Sequence, residues 1–321
     1  QRQMCIRDRD LPDPHTLRGL TEVPELPDPK PVEGSSAQKL PVTVTDVEGN
    51  KVTIKSTSRI LALDLYGTLS RTLIGLGLGD KIVGRTVSST EKQLHDRPVV
   101  TENGHVLNVE AVAGLKPSVI IADRSVGPKE ALDQLRKSGI PVVLVDPHRS
   151  VGSTPQLIRT IADAVGKPDA GEALVKRTQE QIDQAKKQIA AWKPAKPMRV
   201  AFLYVRGNAG VFFILGSENG ASELIQGVGA DDVASDKGIT TLVPANAESL
   251  VSINPDAIFV MRDGLASTGG MKGLLARAGV ANTTAGRKQR VISIPDGISL
   301  SFGPQTGEVL TAVAKALYGV K

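Results

Sequence analysis

A tyrosine and an arginine two positions apart, Tyr204 and Arg206, have the side chains needed to offer a metal ion a hard anionic donor. On an extended segment these two residues share one face, and a guanidinium beside a phenol favours the ionised phenolate. A phenolate oxygen suits ferric iron, and His105 carries an imidazole, a second group that binds iron in proteins. These three residues are therefore candidates for an iron site.

Each candidate also has an ordinary structural interpretation. A loop histidine is usually solvated, a tyrosine at a strand end is usually half-buried core, and Arg206 could form a surface ion pair of little energetic value. For His95 and His148, which lie in polar segments, we keep the solvated interpretation. Tyr66 and Met261, each expected near a strand end, are candidate pocket walls, and Met261 is also a soft alternative iron donor. Core packing explains both equally well.

The helices and strands expected to position these residues include two stretches of similar sequence, 108–122 and 246–260. Each has an Asn, a Glu two residues later, and then a Pro followed by an apolar run. The Asn suits a helix N-cap, the Glu suits the positive end of the helix dipole, and the run is typical of a strand buried on both faces. Segments 59–66 and 199–206 also match, at nearly the same offset. The chain is therefore predicted to contain two related α/β lobes.

Strand and helix patterns alternate within each predicted lobe, which is typical of a mostly parallel sheet. A segment from Asp169 to Trp192 is predicted to be one helix, roughly 36 Å long at ~1.5 Å per residue. The predicted fold class is therefore α/β, with two Rossmann-like lobes joined by a single long helix. In such sheets ligands bind at the carboxyl ends of strands, where Tyr204 is expected. The predicted divisions are a tether over 1–39, an N-terminal lobe over 40–153, a connecting helix over 154–197 and a C-terminal lobe over 198–321.

Composition excludes several classes of protein. The chain has 321 residues, 40% of them hydrophobic, which is enough for two cores. Its formal net charge of +5 is spread among acidic residues, and this argues against a nucleic-acid-binding protein. The one cysteine, Cys5, excludes an internal disulfide framework and a cysteine-based metal cluster. No apolar run approaches the ~20 residues of a membrane-spanning helix.

The first residues predict neither a signal peptide nor a lipidation site. Residues 1–9 lack a hydrophobic segment, and Cys5 follows Gln and Met instead of the small and aliphatic residues of a lipoprotein cleavage site. We interpret this end as a sequencing or cloning scar in place of the true N-terminus. Residues 10–39 contain several prolines and few large apolar groups, and we predict that they form a disordered or extended tether.

Together these features resemble the substrate-binding proteins of ABC importers for iron chelates, cobalamin and haem, from about residue 58 to the end. Within that group, the segments Gly-His-Val-Leu-Asn-Val-Glu (104–110) and Phe-Leu-Tyr-Val-Arg-Gly (202–207) resemble the haem-binding lipoproteins of actinobacterial haem importers, of the HmuT type. The resemblance implies that His105 and Tyr204 bind the iron of haem b from opposite faces. It also implies that Arg206 supports the tyrosine.

The resemblance implies a partner and a location as well. In this family, glutamates at the positions of Glu110 and Glu248 contact arginines of a transporter permease dimer. The chain is therefore expected to be a monomeric, non-enzymatic protein that captures haemin between its lobes and delivers it for iron and haem uptake. It is expected to be a cell-surface, extracytoplasmic lipoprotein. Its N-terminal lipid anchor in the cytoplasmic membrane is expected by analogy alone.

Two other functions stay open. The same fold binds ferric siderophores or cobalamin, although siderophore binders usually present several aromatic residues, which make up only 3% of this chain. The motif Asp-Leu-Tyr-Gly-Thr (64–68) resembles the nucleophile loop of haloacid-dehalogenase-type hydrolases. The enzyme interpretation is weakened because Asp64 aligns with Tyr204 across the internal repeat. On charge alone, three arginines are candidate partners for haem propionates, namely Arg124, Arg149 and Arg262.

Overall fold

The computed structural model describes residues 10–34 and 36–321, so the interpretation of residues 1–9 as a scar lies outside the described residues. The strands are β1 (Leu20–Glu22), β2 (Val42–Thr45), β3 (Lys51–Ile54), β4 (Ile60–Leu63), β5 (Thr101–Glu102), β6 (Val106–Leu107), β7 (Val119–Ala122), β8 (Val142–Leu144), β9 (Arg199–Arg206), β10 (Val211–Ile214), β11 (Asp231–Asp232), β12 (Val243–Pro244), β13 (Ala257–Met261) and β14 (Val291–Ile294).

The α-helices vary from single turns to one long helix of 25 residues, α5. They are α1 (Thr68–Gly75), α2 (Val109–Gly114), α3 (Lys129–Lys137), α4 (Thr154–Ala164), α5 (Pro168–Trp192), α6 (Ala221–Gly227), α7 (Val233–Asp236), α8 (Ala247–Ile253), α9 (Arg262–Ser267), α10 (Gly270–Ala276), α11 (Thr284–Lys288), α12 (Asp296–Ser299) and α13 (Thr306–Tyr318). Short 3₁₀ turns occupy Pro14–Thr16, Gly79–Lys81, Lys92–Leu94, Ser217–Asn219 and Val280–Asn282.

The described residues divide into two compact units. The N-terminal unit contains residues 27–180 and 301–306, and the C-terminal unit contains residues 10–26, 181–300 and 307–321. Helix α5 contributes residues to both units. Every helix in the part of the chain that the structure describes is too short or too polar to traverse a lipid bilayer.

The N-terminal unit is built on a parallel sheet with the strand order β4-β7-β8. Side chains alternate between its faces. Ile60 and Ile121 pack in a core with residues of α1, α4 and α5, whereas Leu61 and Ile120 pack in a second core with residues of α2 and α3. Because both faces are covered, the strands are continuously apolar, as the sequence predicts.

The C-terminal unit contains a larger sheet with the order β1-β14-β13-β9-β10-β12, and β11 also pairs with β9. Pairing is parallel from β1 to β9 in that order, and β10 runs antiparallel to both β9 and β12. The α/β fold class with mostly parallel sheets is confirmed. The predicted N-caps are also present: Asn108 accepts a hydrogen bond from the N–H of Ala111, and Asn246 accepts one from Ser249.

Part of the segment 10–39, which was predicted to be a disordered or extended tether, is an ordered strand of the C-terminal sheet. Leu20 and its two neighbours form β1, which pairs in parallel with β14 at the sheet edge, with Leu20 opposite Val291. Val23 and Val32 are buried, and Glu25 forms an ion pair with Arg262. An edge strand is stabilised through its backbone hydrogen bonds, which require no apolar repeat in the sequence.

Candidate functional site

Three neighbouring strands of the C-terminal unit end at the same edge of its sheet. In the parallel register, Leu203 lies opposite Val260 and Met261 lies opposite Ile294. The residues at or just beyond these strand ends therefore meet, although they are far apart in the sequence. They are Tyr204 and Arg206 of β9, Met261 of β13 and Asp296, which follows β14.

Tyr204 and Arg206 are both half-buried and lie on the same face of β9. The guanidinium carbon of Arg206 is 4.9 Å from the centroid of the Tyr204 ring, which is a cation–π contact. The phenol oxygen of Tyr204 has no hydrogen-bond partner among the described residues. Arg206 therefore supports the ring through its face, and the oxygen is left available to bind a ligand.

Hydrogen bonds hold the Arg206 guanidinium in this position. Its Nη2 donates to Oδ2 of Asp296 at 2.8 Å and to Sδ of Met261 at 3.3 Å, and its Nη1 donates to the carbonyl of Val205 at 3.0 Å. The other oxygen of Asp296 accepts the backbone N–H of Asp263 at 2.8 Å. Burial raises the pKa of Asp296, while that N–H and Arg206 act in the opposite direction. The guanidinium of Arg206 and the carboxylate of Asp296 form an ion pair.

Gly264, in the first turn of α9, packs directly against this arginine. A Cβ atom at that position would collide with Nη1 of Arg206 and would come within 2.6 Å of the Val205 carbonyl oxygen. Arg206 can therefore take this position because residue 264 has no side chain. Nothing in the local sequence around Gly264 indicates this contact.

The Tyr204 ring has an aromatic neighbour across the sheet. Phe213 of β10 lies directly opposite Tyr204 in the antiparallel register and is half-buried. Directly opposed residues in such a pair place their side chains on the same face. The turn that connects the two strands is held by Arg277, which donates to the carbonyls of Ala209 at 3.1 Å and Gly207 at 2.5 Å. Sequence reasoning missed Phe213, although its position in an apolar strand just after the motif was a usable signal.

His105 lies in the N-terminal unit, in the tight turn between β5 and β6, and it is exposed. Asn103 and Gly104 have φ values of 50° and 89°, in the left-handed region that asparagine and glycine tolerate best. The backbone carbonyl of His105 accepts the N–H of Gly127 at 2.8 Å, which holds the turn against the rest of the unit. The imidazole itself has no partner among the described residues, so its nitrogens are available to bind a metal.

Tyr66 follows β4 and is half-buried beside a charged cluster. The guanidinium carbon of Arg149 is 5.5 Å from its ring centroid. Nη2 of Arg149 donates to Asp64 at 3.0 Å and to Asp123 at 2.6 Å, and both carboxylates are fully buried. Burial, reinforced by Asp64, raises the pKa of Asp123 to about 6. Burial also raises the pKa of Tyr66.

Asp64 has a structural role in this cluster. Its carboxylate accepts the backbone N–H groups of Gly67 at 3.0 Å and Thr68 at 3.1 Å, in addition to the bond from Arg149. A carboxylate that is buried and fully paired cannot reach a substrate. The geometry therefore disfavours the hydrolase interpretation of the motif.

The three arginines considered as propionate partners are all paired with carboxylates. Arg149 is bound as described above. Arg124 donates to Glu48 at 2.7 Å and to Asp133 at 3.0 Å, and Arg262 lies 2.5 Å from Glu25. Among the described residues, no group of three or more His, Cys, Asp and Glu side chains is arranged to hold a metal ion.

Glu110 and Glu248 occupy equivalent places in the two units. Each lies in the first turn of a short helix, α2 and α8 respectively, and each is exposed. Neither is committed to an ion pair within the described residues. Both carboxylates are therefore available to a partner protein.

A model of a family described as periplasmic binding protein matches residues 65–297 of this chain. The crystal structure of the heme binding protein HmuT is 49% identical, with a TM-score of 0.94 over 97% of this chain and 100% of HmuT. The apo form of the periplasmic heme-binding protein RhuT from Roseiflexus sp. RS-1 is 32% identical, with a TM-score of 0.77 over 82% of this chain and 99% of RhuT. YvrC of Bacillus subtilis, named as an ABC transporter substrate-binding lipoprotein, is 27% identical over 280 residues, which is 87% of this chain and 86% of YvrC.

Three further HmuT structures carry single alanine substitutions. The residues replaced are a histidine, a tyrosine and, two positions after the tyrosine, an arginine. His105, Tyr204 and Arg206 are the same residue types in the same order and at the same spacing along this chain.

Proposed function

Because this chain belongs to the periplasmic binding protein family, we propose that it captures haem outside the cytoplasm and delivers it to the permease of an ABC importer for iron and haem uptake. The side chain of Tyr204 carries the proposal. Its phenol oxygen is without a hydrogen-bond partner among the described residues, and its ring is held against the guanidinium of Arg206. The likeness to HmuT and RhuT, both described as haem-binding, supports haem as the ligand.

The proposed iron ligands are the phenolate of Tyr204 and the imidazole of His105. A phenolate is a hard donor that suits Fe(III), and both side-chain types are found as protein ligands of haem iron. The matching spacing of the three residues substituted in HmuT supports this assignment. Tyr66 and Met261 are proposed to contact the haem as well.

The role proposed for Arg206 is to stabilise the negative charge of the phenolate that binds iron. A positive charge near a phenol stabilises the phenolate, and the guanidinium lies over the ring, not at the oxygen. The carboxylate of Asp296 balances part of this charge, so the effect is smaller than that of an unpaired guanidinium.

A haemin titration followed by absorption spectroscopy tests the proposal. Wild-type protein should give a Soret band and a phenolate-to-iron charge-transfer band. Tyr204→Phe should abolish the charge-transfer band and weaken ferric haem retention more than His105→Ala, because the anionic donor matches Fe(III) better. His148→Ala, which removes another exposed imidazole, is the matched control and should match wild type.

One result would contradict the assignment of Tyr204 and His105 as iron ligands. If the Tyr204→Phe, His105→Ala double variant bound haemin with an unchanged spectrum and affinity, these residues would not be the ligands. If wild-type protein gave no Soret band with haemin, the proposed function itself would be wrong.

The proposed partner is the permease dimer of an ABC transporter. Glu110 and Glu248 are proposed to contact arginines on that dimer, one glutamate from each unit. Their equivalent positions, their exposure and the absence of an ion pair to either among the described residues support this role. Each also lies in the first turn of a helix, where its negative charge interacts favourably with the positive end of the helix dipole.

The proposed location is the outer side of the cytoplasmic membrane, where the protein is held by an N-terminal lipid and acts as a monomer. The family description as periplasmic and the description of YvrC as a lipoprotein support this location.

Cobalamin is the second candidate ligand, because a relative from Halobacterium salinarum that is 25% identical over 293 residues is described as cobalamin-binding. A ferric siderophore is a third candidate, from the resemblance in sequence alone. Tyr204 favours haem, because a ligand that already saturates its metal gains nothing from a protein phenolate. Parallel titrations with cyanocobalamin and with a ferric hydroxamate would separate the candidates.

A further inference from the structure

We propose that Asp296 is a positioning residue that holds Arg206 against the Tyr204 ring and so tunes the bond between the phenolate and the haem iron. This inference rests on the proposed function. It assigns a role to a residue that has no place in the motif that contains Tyr204 and Arg206.

The fixed position of Asp296 itself is the first support. Its Oδ1 accepts the backbone N–H of Asp263 at 2.8 Å, at the start of α9, and its Oδ2 accepts Nη2 of Arg206 at 2.8 Å. The carboxylate is therefore anchored to backbone on one side and to the guanidinium on the other. An arginine side chain is flexible, and an anchored carboxylate restricts it to one orientation.

Gly264 and Met261 supply the second support. The Sδ atom of Met261 accepts a further hydrogen bond from Nη2 of Arg206. Any side chain at residue 264 would collide with Nη1. The guanidinium therefore lies between the backbone of α9 and the Tyr204 ring. Met261 and Gly264, from the junction of β13 and α9, and Asp296, which follows β14, define this position.

The position of the guanidinium affects the bond between the phenolate and the iron. A positive charge close to a phenolate lowers the energy of the phenolate's electrons. A charge-transfer band from phenolate to iron then moves to shorter wavelength. If Arg206 is removed or released from the ring, the band should move to longer wavelength. The wavelength of this band thus reports where the guanidinium lies.

Asp296→Asn is the decisive variant because two roles of Asp296 predict opposite shifts. Asparagine has one acceptor oxygen in place of two, so it cannot accept both the N–H of Asp263 and Nη2 of Arg206. If Asp296 positions Arg206, the substitution weakens the hold on the guanidinium and the band moves to longer wavelength, in the same direction as in Arg206→Ala. Asp296 also balances part of the charge of Arg206. If this balancing outweighs positioning, the substitution leaves the positive charge stronger and the band moves to shorter wavelength. Positioning also predicts faster haem loss, on the order of tenfold for a weakened hydrogen bond to a charged group.

The experiment compares ferric-haem spectra and haem dissociation rates of four proteins: wild type, Asp296→Asn, Arg206→Ala and the double variant. The expected result is a longer-wavelength band in Asp296→Asn, and a double variant no different from Arg206→Ala, because Asp296 acts through the arginine. Asp236→Asn, at an exposed position of α7 in the same unit, is the control and should match wild type.

A band at shorter wavelength, an unchanged band, or full additivity in the double variant would overturn the inference. These outcomes differ from a failure of the proposed function, in which wild-type protein would show no charge-transfer band at all. Gly264→Ala provides an independent check. It displaces the guanidinium while Asp296 stays in place, and it should also move the band to longer wavelength. If Gly264→Ala does not fold, Asp296→Asn alone decides the question.

Discussion

Replacing Asp123 with Asn should make the folding stability of the N-terminal unit less sensitive to pH. Asp123 is fully buried with Asp64 and Arg149, and burial raises its pKa from 3.8 to about 6. Each pKa unit corresponds to about 1.4 kcal/mol, so ionisation of Asp123 costs the folded state about 3 kcal/mol. Asparagine has nearly the same shape, can still accept a hydrogen bond from Arg149, and does not ionise.

The direction of the effect follows from proton binding. Between about pH 4 and pH 6 the folded state holds the Asp123 proton while the unfolded state releases it. The free energy of unfolding contributed by this group therefore decreases as pH rises through that window. The free energy of unfolding of Asp123→Asn, measured relative to wild type, should therefore rise by most of the ~3 kcal/mol between pH 4 and pH 7.5. Any constant difference that the substitution also introduces does not change this rise.

Urea unfolding at several pH values, followed by circular dichroism, measures this difference. Asp133→Asn is the matched control. Arg124 lowers the pKa of the half-buried Asp133 carboxyl below 3.8, so this group changes the free energy of unfolding only below that pH. The difference between Asp133→Asn and wild type should therefore stay nearly constant from pH 4 to pH 7.5. A difference between Asp123→Asn and wild type that stayed constant from pH 4 to pH 7.5 would refute the reasoning.

Two further predictions concern transport and redox state. The Glu110→Ala, Glu248→Ala double variant should bind haemin normally but fail to support uptake, because these exposed carboxylates are proposed to contact the permease and not the haem; normal uptake would exclude the docking role. Reduction to Fe(II) should make His105→Ala more damaging than Tyr204→Phe, since Fe(II) prefers a neutral imidazole to a phenolate. Haem affinities under reducing conditions measure this, and a persistent greater loss in Tyr204→Phe would contradict it. The control for the uptake prediction replaces two other exposed glutamates, Glu130 and Glu218, with alanine, and it should support normal uptake.

Local signals were sufficient for much of the fold. Asn108 and Asn246 cap helices as predicted, because an N-cap bond spans only three residues and depends on little else. The apolar runs at 119–122 and 257–260 are buried strands, because a strand covered on both faces has no polar side. The mostly parallel α/β class could therefore be predicted from pattern alone.

Pattern could not predict elements whose stability comes from elsewhere in the chain. Residues Leu20–Glu22 have no apolar alternation, yet they add a strand to the edge of the sheet by pairing with β14. The paired carboxylates of Asp64 and Asp123 likewise depend on Arg149, which reaches both from a loop after β8. A sequence does not show which distant backbone or side chain will satisfy such groups.

The same division applies to the candidate site. The types and spacing of His105, Tyr204 and Arg206 determined which chemistry was available, because donor character is a property of single side chains. Only the tertiary structure decided where the Arg206 guanidinium lies, because the ends of three adjacent parallel strands bring Asp296 and Gly264 to it from far along the chain. Residue types can thus nominate a phenolate, but the packing of distant strand ends determines the electrostatic environment in which that phenolate acts.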